Sequence, residues 1–182
     1  MTPRTILAAS ALALAAGSAL AANPMVGGAP MLETRNIVEN AVNSADHTTL
    51  VAAVQAAGLV ETLQGEGPFT VFAPVNDAFA ALPEGTVETL LMPENKDMLV
   101  KVLTCHVVAA NAMSDAIGKM IADDGGTHPV PTVGGCTLQA KMDGGMIMLT
   151  DEQGGTATVT VADVVQSNGV IHVIDKVLLP AM

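Results

Sequence analysis

The sequence predicts an α+β fold for this chain of 182 residues. Apolar residues recur at helical spacing in the first half, hairpin-linked strand patterns fill the second half, and no regular βαβ alternation occurs. The apolar content of 50% is enough for one full core, although aromatic residues contribute only 2%. Because no internal repeat is found, a single domain is predicted.

Residues 1–21 are predicted to be a signal peptide. Arg4 gives the start of the chain a positive charge, residues 6–16 form a short apolar run, and Ala19-Leu20-Ala21 is a small-x-small cleavage site. The alternative is a membrane anchor, but the apolar run is shorter than the roughly 20 residues that a membrane span needs. The sequence therefore predicts an exported, soluble product.

After the predicted signal peptide, the Pro- and Gly-rich residues 22–32 are interpreted as a mobile lead-in, followed by one domain over residues 33–182. Within that domain, helices are predicted at 33–43, 46–57 (capped by Asp46 and ended by Gly58), 59–63, 76–82, 85–91, 94–103 and 114–122 (capped by Ser114). Strands are predicted at 69–73, 105–109, 136–142, 146–150, 156–162 and 170–179. The pattern of the helix at 94–103 places Met98 and Leu99 in its buried stripe.

All three aromatic residues of the chain lie between residues 67 and 82, at Phe69, Phe72 and Phe79. The β-branched and aromatic run from Phe69 predicts a buried strand, which ends at Pro74 because proline cannot donate to a sheet ladder. Asn76 occupies the position of a helix N-cap, and Asp77 lies near the positive end of the helix dipole. We expect this strand-to-helix turn to organise the core. It contains no nucleophile, metal-ligand set or phosphate cradle.

The same stretch resembles the first conserved motif of the fasciclin (FAS1) domain, and residues 167–180, which contain His172, resemble the second. Leu103-Thr104-Cys105-His106-Val107-Val108 resembles the central Tyr-His segment of that family. The three segments occur in family order, and the likeness extends from about residue 33 to residue 180. The resemblance implies a single FAS1-type domain, in which several short α-helices flank a β-sheet wedge or sandwich core.

Two positions depart from the family pattern. Val75 stands where the family carries a small hydroxyl residue, which leaves capping to Asn76 alone and predicts that Asn76→Ala destabilises the fold by about 1 kcal/mol. Cys105 occupies the Tyr position of the Tyr-His segment. His106, the next residue, matches the histidine of that segment, which is associated with cell binding in some animal members of the family. The resemblance thus makes His106 a candidate binding residue. Its apolar strand, like that of His172, favours a hydrogen-bonded core imidazole instead.

Asn95-Lys96-Asp97-Met98-Leu99 resembles an Asn-Lys-Asp-Ile-Leu sequence that is linked to integrin recognition in animal fasciclin domains, with Met98 in place of Ile. By that resemblance, Asn95, Lys96 and Asp97 are candidate binding residues. The helix pattern also explains them without any partner, as the solvent face of an ordinary amphipathic helix.

Cys105 and Cys136 form the one possible disulfide pair of an exported chain, because oxidising compartments preserve such bonds. The bridge closes a loop of about 30 residues and contributes roughly 3 to 4 kcal/mol in the chain-entropy model. The alternative is two buried free thiols, which behave as small apolar residues. A redox-active pair is disfavoured because the two cysteines do not form a Cys-x-x-Cys motif.

The sequence contains no catalytic or metal-binding constellation, so no enzyme activity, metal or cofactor is predicted. Its four histidines lack metal-ligand spacing, and no Gly-x-Ser-x-Gly elbow occurs. Met142, Met146 and Met148 lie near one hairpin, where thioethers bind Cu(I) in exported proteins. Met142 shares its strand face with apolar residues, however, which favours filling of the core.

A formal charge of −11 argues against nucleic acid and anionic membranes as electrostatic partners. The sequence and the resemblance together predict a non-catalytic binding or adhesion module, periplasmic or extracellular, whose partner is a protein or a glycan at the cell surface or in the extracellular matrix. The alternative is a periplasmic carrier of a small ligand or of copper. Neither the oligomeric state nor the identity of the partner follows from the sequence.

Overall fold

The computed structural model describes residues 23–181, so the predicted signal peptide lies outside the described residues. The α-helices are α1 (Ile37–Ala41), α2 (Thr48–Ala57), α3 (Val60–Leu63), α4 (Asn76–Ala80), α5 (Thr86–Leu91), α6 (Lys96–Thr104) and α7 (Ser114–Asp123). Short 3-10 helices at Ala45–His47 and Pro93–Asn95 precede α2 and α6. The strands are β1 (Met25–Val26), β2 (Ala29–Pro30), β3 (Phe69–Pro74), β4 (Val107–Val108), β5 (His128–Pro131), β6 (Thr137–Asp143), β7 (Met146–Thr150), β8 (Thr156–Gln166) and β9 (Gly169–Ile174). None of the described helices is long and apolar enough to cross a membrane.

Within residues 23–181, seven strands form one sheet in the order β4-β3-β9-β8-β7-β6-β5, and β1 and β2 form a separate two-stranded ladder. The two strands that carry the conserved motifs, β3 and β9, pair in parallel and place Phe72 opposite His172. The other neighbours in the sheet are antiparallel. The predicted α+β class is confirmed, because short helices precede and interrupt a mainly antiparallel sheet.

The two outer strands of the sheet are brought together at one end. The backbone N–H of Val133, just after β5, donates to the carbonyl of Val107 in β4 at 2.8 Å. Cys105, just before β4, forms a disulfide with Cys136, just before β6, and their Cα atoms lie 5.4 Å apart. The predicted disulfide is confirmed. Together these links close the sheet into a barrel-like wedge.

The core has two parts, and the strand-to-helix turn at residues 67–82 contributes to both. Phe79 packs with α2, α6 and the adjoining face of the sheet, whereas Phe72 packs with α7 and the strands β5 to β9. Phe72 is fully buried, and its ring stacks on His172 with the ring centroids 5.7 Å apart. Phe69 lies partly buried against the first part. The prediction that this turn organises the core is confirmed.

The cap of α4 differs from the prediction. The N-cap is Val75, whose backbone is extended, and Asn76 is already the first helical residue. The Asn76 side chain turns to the neighbouring helix α2, where its Oδ1 accepts from the backbone N–H of Thr49 at 3.0 Å. Its Nδ2 donates to the carbonyl of Ala45 at 2.8 Å. Asp77 lies exposed in the first turn of α4, as predicted.

Two further predicted caps are also wrong. Asp46 lies inside a 3-10 helix rather than at the start of α2, and α7 has Met113 at its N-cap instead of Ser114. The carboxylate of Asp163 satisfies the start of α7, because it accepts from the backbone N–H of Ser114 at 2.6 Å and from its hydroxyl. Asp163 has φ 57° in an irregular part of β8, which continues through it to Gln166. The predicted strand therefore ends too early at residue 162.

The least regular segments were predicted least well. Residues 23–32, interpreted as a mobile lead-in, contain the β1–β2 ladder and place Val26 and Met31 in the core. The strand predicted at 105–109 is reduced to β4, because the backbone still turns at Cys105 and His106, where the His106 N–H donates to the Leu103 carbonyl at 3.0 Å. β5 was not predicted at all, since two prolines hide its strand character.

Candidate binding surface

Asn95 joins two helices of the candidate site. It is the last residue of the 3-10 helix before α6, and its Nδ2 donates to the carbonyl of Thr89 at 2.7 Å. That carbonyl belongs to the last turn of α5, where it also accepts from the backbone N–H of Met92 at 3.2 Å. Asn95 therefore ties the start of α6 to the last turn of α5, and its side chain is only partly exposed.

Lys96 and Asp97 begin α6 and are both exposed. The Lys96 ammonium points to the end of α2, since a Cβ built on Gly58 would lie 3.5 Å from Lys96 Nζ. Gly58 ends α2 in the left-handed conformation, and a positive charge at the C-terminus of a helix is favourable. Among the described residues, no side chain forms a hydrogen bond or ion pair with Asp97. Of the three residues, Asn95 alone forms a side-chain hydrogen bond within the part of the chain that the structure describes.

Beside these residues lies a half-open groove of about 520 Å³, called the helical groove below. Its apolar walls are Pro83, Leu90, Met98, Val102, Leu179 and Pro180, and its polar lining includes Glu84, Thr89, Asn95 and Gln153. Met98 was predicted to be buried, but 39% of its surface is exposed. The reason is that α5 and the C-terminal segment stand apart at this point and leave the Met98 side chain facing the gap.

The C-terminal wall of the helical groove is fastened by the turn between β7 and β8. The bonds run from Leu179 N to Asp151 Oδ2 (2.9 Å), from Ala181 N to Glu152 Oε2 (2.8 Å) and from Gln153 Nε2 to the Pro180 carbonyl (2.8 Å). The backbone N–H groups of Ala181 and Thr137 hold the pKa of the Glu152 carboxyl below its usual value, because both donate to it. The wall is therefore held by side chains rather than by a strand ladder.

His106 is a core residue. Only 2% of its surface is exposed, its Nδ1 donates to the carbonyl of Val102 at 2.8 Å, and its Nε2 accepts from the backbone N–H of Leu178 at 2.9 Å. Burial lowers the pKa of the imidazole to about 4, although the bond to Val102 opposes that shift. The interpretation of His106 as a hydrogen-bonded core imidazole is confirmed. Its side chain does not reach the helical groove.

His172 lies close to a serine and an aspartate, but their hydrogen bonds do not form a catalytic triad. The Nδ1 of His172 accepts from the backbone N–H of Asp163 at 3.2 Å, and its Nε2 donates to the carbonyl of Ala112 at 2.7 Å. A triad needs the imidazole between a carboxylate and a hydroxyl. Here the Asp163 carboxylate contacts the Ser114 hydroxyl directly. His172 is fully buried, and burial lowers its pKa.

The methionine hairpin also differs from the prediction. Met142 was predicted to fill the core, but it is 45% exposed at the far end of β6, and Met146 is 53% exposed. Both line a second groove of about 320 Å³ together with Ser114 and Asp115. Within residues 23–181, no three His, Cys, Asp or Glu side chains are grouped as a metal site.

Sequence reasoning identified one side of the helical groove and missed the others. Asn95 and Met98 belong to a segment that the family resemblance singled out, whereas Glu84, Gln153 and Leu179 come from three distant parts of the chain. Pro and Gly around residues 83–85 predict only a turn. No local pattern indicates that the turn after β7 and the C-terminal segment meet at α6.

A solved FAS1 domain pair from the insect cell adhesion molecule Fasciclin I has the same fold, with a TM-score of 0.71. It is 17% identical in sequence, and the match covers 80% of this chain and 51% of that one. Protein sll1483 of Synechocystis sp. is 54% identical over 146 residues, which are 80% of this chain and 74% of that protein. Protein sll1735 of the same organism is 41% identical, over 79% of this chain and 97% of its own length.

The similarity extends to animal proteins. Transforming growth factor-beta-induced protein ig-h3 of Sus scrofa is 37% identical over 131 residues, which are 72% of this chain but only 17% of that longer protein. The family model of the Fasciclin domain matches residues 45–180, well over half of the chain. The match includes both conserved motifs, the central His106 segment and the helical groove. This chain therefore belongs to the Fasciclin domain family.

Proposed function

We propose that this protein is an exported, non-catalytic binding module that attaches to another protein at the cell surface or in the extracellular matrix. The partner occupies the helical groove and contacts Asp97. Export rests on the predicted signal peptide, and the Cys105–Cys136 disulfide agrees with it because such bonds persist in oxidising compartments.

The single observation that carries the proposal is Met98. It is a large apolar side chain, 39% exposed, in a groove with mainly apolar walls, and the exposed Asp97 precedes it in the same helical turn. An apolar anchor with a polar neighbour is the arrangement that protein interfaces use at their centre and rim. Asn95 supports this surface through its bond to the Thr89 carbonyl of α5, and the Lys96 ammonium lies beside Gly58 at the end of α2.

The comparisons support the same proposal. One similar structure belongs to an insect cell adhesion molecule, and this chain shares its fold. The Fasciclin domain also occurs in ig-h3 and periostin, to which this chain is 37% and 32% identical. An interface on a rigid domain needs no chemical step, and the hydrogen bonds of His172, Asp163 and Ser114 leave no activated nucleophile among them.

A carrier of small molecules or copper is the second candidate. The volume of the helical groove, about 520 Å³, falls within the range of small-molecule sites, roughly 300 to 1,000 Å³. The exposed thioethers of Met142 and Met146 share the second groove. Native mass spectrometry of the exported protein separates the two candidates, because a carrier retains a small molecule or copper ion in stoichiometric amount.

The experiment that tests the proposal is site-specific photo-cross-linking in the cells that produce the protein. A photoreactive amino acid is placed at Met98 in one variant and at Met142, which is similarly exposed, in the control. We expect a reproducible protein adduct from position 98 that is absent from position 142, and the identified partner should bind the purified protein. Equal adducts from both positions, or none from position 98, would contradict the proposed surface.

A further inference from the structure

We infer that the helical groove selects a cationic, apolar segment of its partner protein, in which a side chain such as leucine is flanked by lysine or arginine. The inference rests on the proposed function and specifies the chemistry of the partner. It follows from three features of the groove, namely its apolar walls, its hydrogen-bonding groups and its charges.

The apolar walls determine the first part of the ligand. Leu90 of α5, Met98 of α6 and Leu179 of the C-terminal segment enclose the groove from three sides. The groove is open to solvent along one side, so it admits a side chain from a chain lying across it. Burying an aliphatic side chain there removes apolar surface of both partners from water, which is the main source of binding energy.

The hydrogen-bonding groups of the groove determine which polar groups the ligand can place there. Asn95 directs its amide N–H to the Thr89 carbonyl at 2.7 Å, and Gln153 directs its amide N–H to the Pro180 carbonyl at 2.8 Å. Each amide thus uses one of its two N–H donors on the backbone and keeps its second N–H and its oxygen. Among the described residues, no donor forms a hydrogen bond to either oxygen. Both side chains line the groove, which therefore offers two amide oxygens as acceptors to the N–H groups of a lysine or arginine in the ligand.

The charges around the groove determine the sign of the charge that the ligand carries. Glu84 is the charged residue of the lining, and its carboxylate is exposed at the groove. Of the two nearby lysines, Lys96 is directed to the end of α2, whereas Lys101 donates to the Ala181 carbonyl at 3.2 Å, next to the Pro180 wall, and does not itself line the groove. The chain as a whole carries 18 acidic against 7 basic residues. A cationic segment is therefore attracted both by the whole surface and by Glu84, while an acidic one is repelled.

The test uses three short fluorescent peptides that share a Leu-Leu centre and differ in their flanking residues, which are Lys, Gln or Glu. Their affinities for the purified, disulfide-intact protein are measured by fluorescence anisotropy at low and at physiological salt. We expect the Lys peptide to bind about threefold more tightly than the Gln peptide at low salt, and the Glu peptide to bind most weakly. Equal affinities for the three peptides would overturn the inference.

Substitutions in the groove test whether the peptides bind there. Glu84→Lys should reduce the preference for the Lys peptide over the Glu peptide, whereas Glu61→Gln, which removes an exposed carboxylate of α3 outside the lining, should leave it unchanged. Thr89→Trp fills the groove from an exposed position and should weaken binding of all three peptides more than tenfold. Undiminished peptide binding in Thr89→Trp, or an undiminished preference in Glu84→Lys, would show that the groove is not the site.

The inference and the proposed function can fail separately. A partner protein cross-linked from Met98 that binds Glu84→Lys as tightly as the native protein keeps the proposed function and overturns the preference for cations. Selective peptide binding in the helical groove, with no protein adduct from Met98 in cells, supports the charge preference and contradicts the proposed adhesion role.

Discussion

Asn76 caps a helix other than its own. Its Oδ1 accepts from the backbone N–H of Thr49 at 3.0 Å, at the second residue of α2, while Asn76 itself is the first residue of α4. Its Nδ2 donates to the carbonyl of Ala45 at 2.8 Å, just before α2. The Asn76 side chain therefore joins the start of α4 to the start of α2. The helix α2 in turn packs against α6 of the candidate binding surface.

Asn76→Ala should destabilise the protein by about 1 to 2 kcal/mol, because a helix N-terminus loses its acceptor and Ala45 loses its donor. Chemical denaturation gives the size of the effect, and amide hydrogen exchange gives its place. We expect faster exchange at Thr49 in α2 rather than at the start of α4. Asp77→Ala, an exposed neighbour, is the control and should change the denaturation midpoint little. An unchanged midpoint in Asn76→Ala would refute the assignment.

Reduction of the Cys105–Cys136 disulfide should lower the free energy of unfolding by roughly 3 to 4 kcal/mol. The two cysteines are 31 residues apart, and the chain-entropy model gives this value for a loop of that length. The measurement compares urea denaturation of the native protein with that of the Cys105→Ala/Cys136→Ala double variant, whose alanines keep small apolar side chains at both sites. Identical unfolding free energies would show that the bridge adds nothing to closure of the sheet.

His106 should make the protein less stable in mild acid. Its pKa is lowered to about 4 in the folded protein by burial, whereas an unfolded chain has the ordinary value of 6.5. The unfolded state therefore binds a proton first as the pH falls, so stability is complete above pH 6.5 and decreases towards pH 4. His106 alone should account for about 3 kcal/mol of that loss. An NMR titration of the His106 ring that shows a midpoint near 6.5 would contradict this expectation.

Substitutions at Asn95 and Asp97 should distinguish a residue that stabilises the fold from a residue that is free to contact a partner. Asn95→Ala removes the hydrogen bond to the Thr89 carbonyl and should cost about 1 kcal/mol of stability. Asp97 is exposed, and no side-chain partner of it is found among the described residues. Asp97→Asn keeps the shape of the side chain, so its free energy of unfolding should match that of the native protein within about 0.5 kcal/mol. Asp97→Asn is therefore the cleaner variant for binding experiments. A destabilised Asp97→Asn would assign that carboxylate to the fold instead.

The sequence predicts those elements whose signals are local. The helix stop at Gly58 is correct because the residue adopts a left-handed conformation that glycine favours, and the strand from Phe69 is correct because its β-branched and aromatic residues are buried. The predicted caps at Asn76 and Ser114 are wrong for a different reason. Polar side chains of this size bond equally well to a neighbouring element, and which element lies nearby is decided by tertiary packing.

In the candidate site, too, the features with a local sequence signal were predicted and those decided by tertiary packing were not. Asn95, Lys96 and Asp97 were singled out by resemblance to a family motif, and the helix pattern correctly placed Leu99 in the core. The pattern failed at Met98 because periodicity gives the direction of a side chain but not whether another element covers it. The groove at Met98 exists because the C-terminal segment is tied to the turn after β7, a contact between parts of the chain about 30 residues apart.

The central claim is that a protein partner binds in the helical groove at Met98 and also contacts the neighbouring Asp97, which lies outside the groove lining. The most direct measurement is the yield of the adduct from a photoreactive residue at position 98, compared between Asp97→Asn and Asp77→Asn. Both aspartates are exposed in the first turn of a short helix, so the second variant controls for the lost charge. We predict a yield reduced about threefold in Asp97→Asn and unchanged in Asp77→Asn, as for the loss of one exposed polar contact at the rim of an interface. Equal yields in the two variants would contradict the claim.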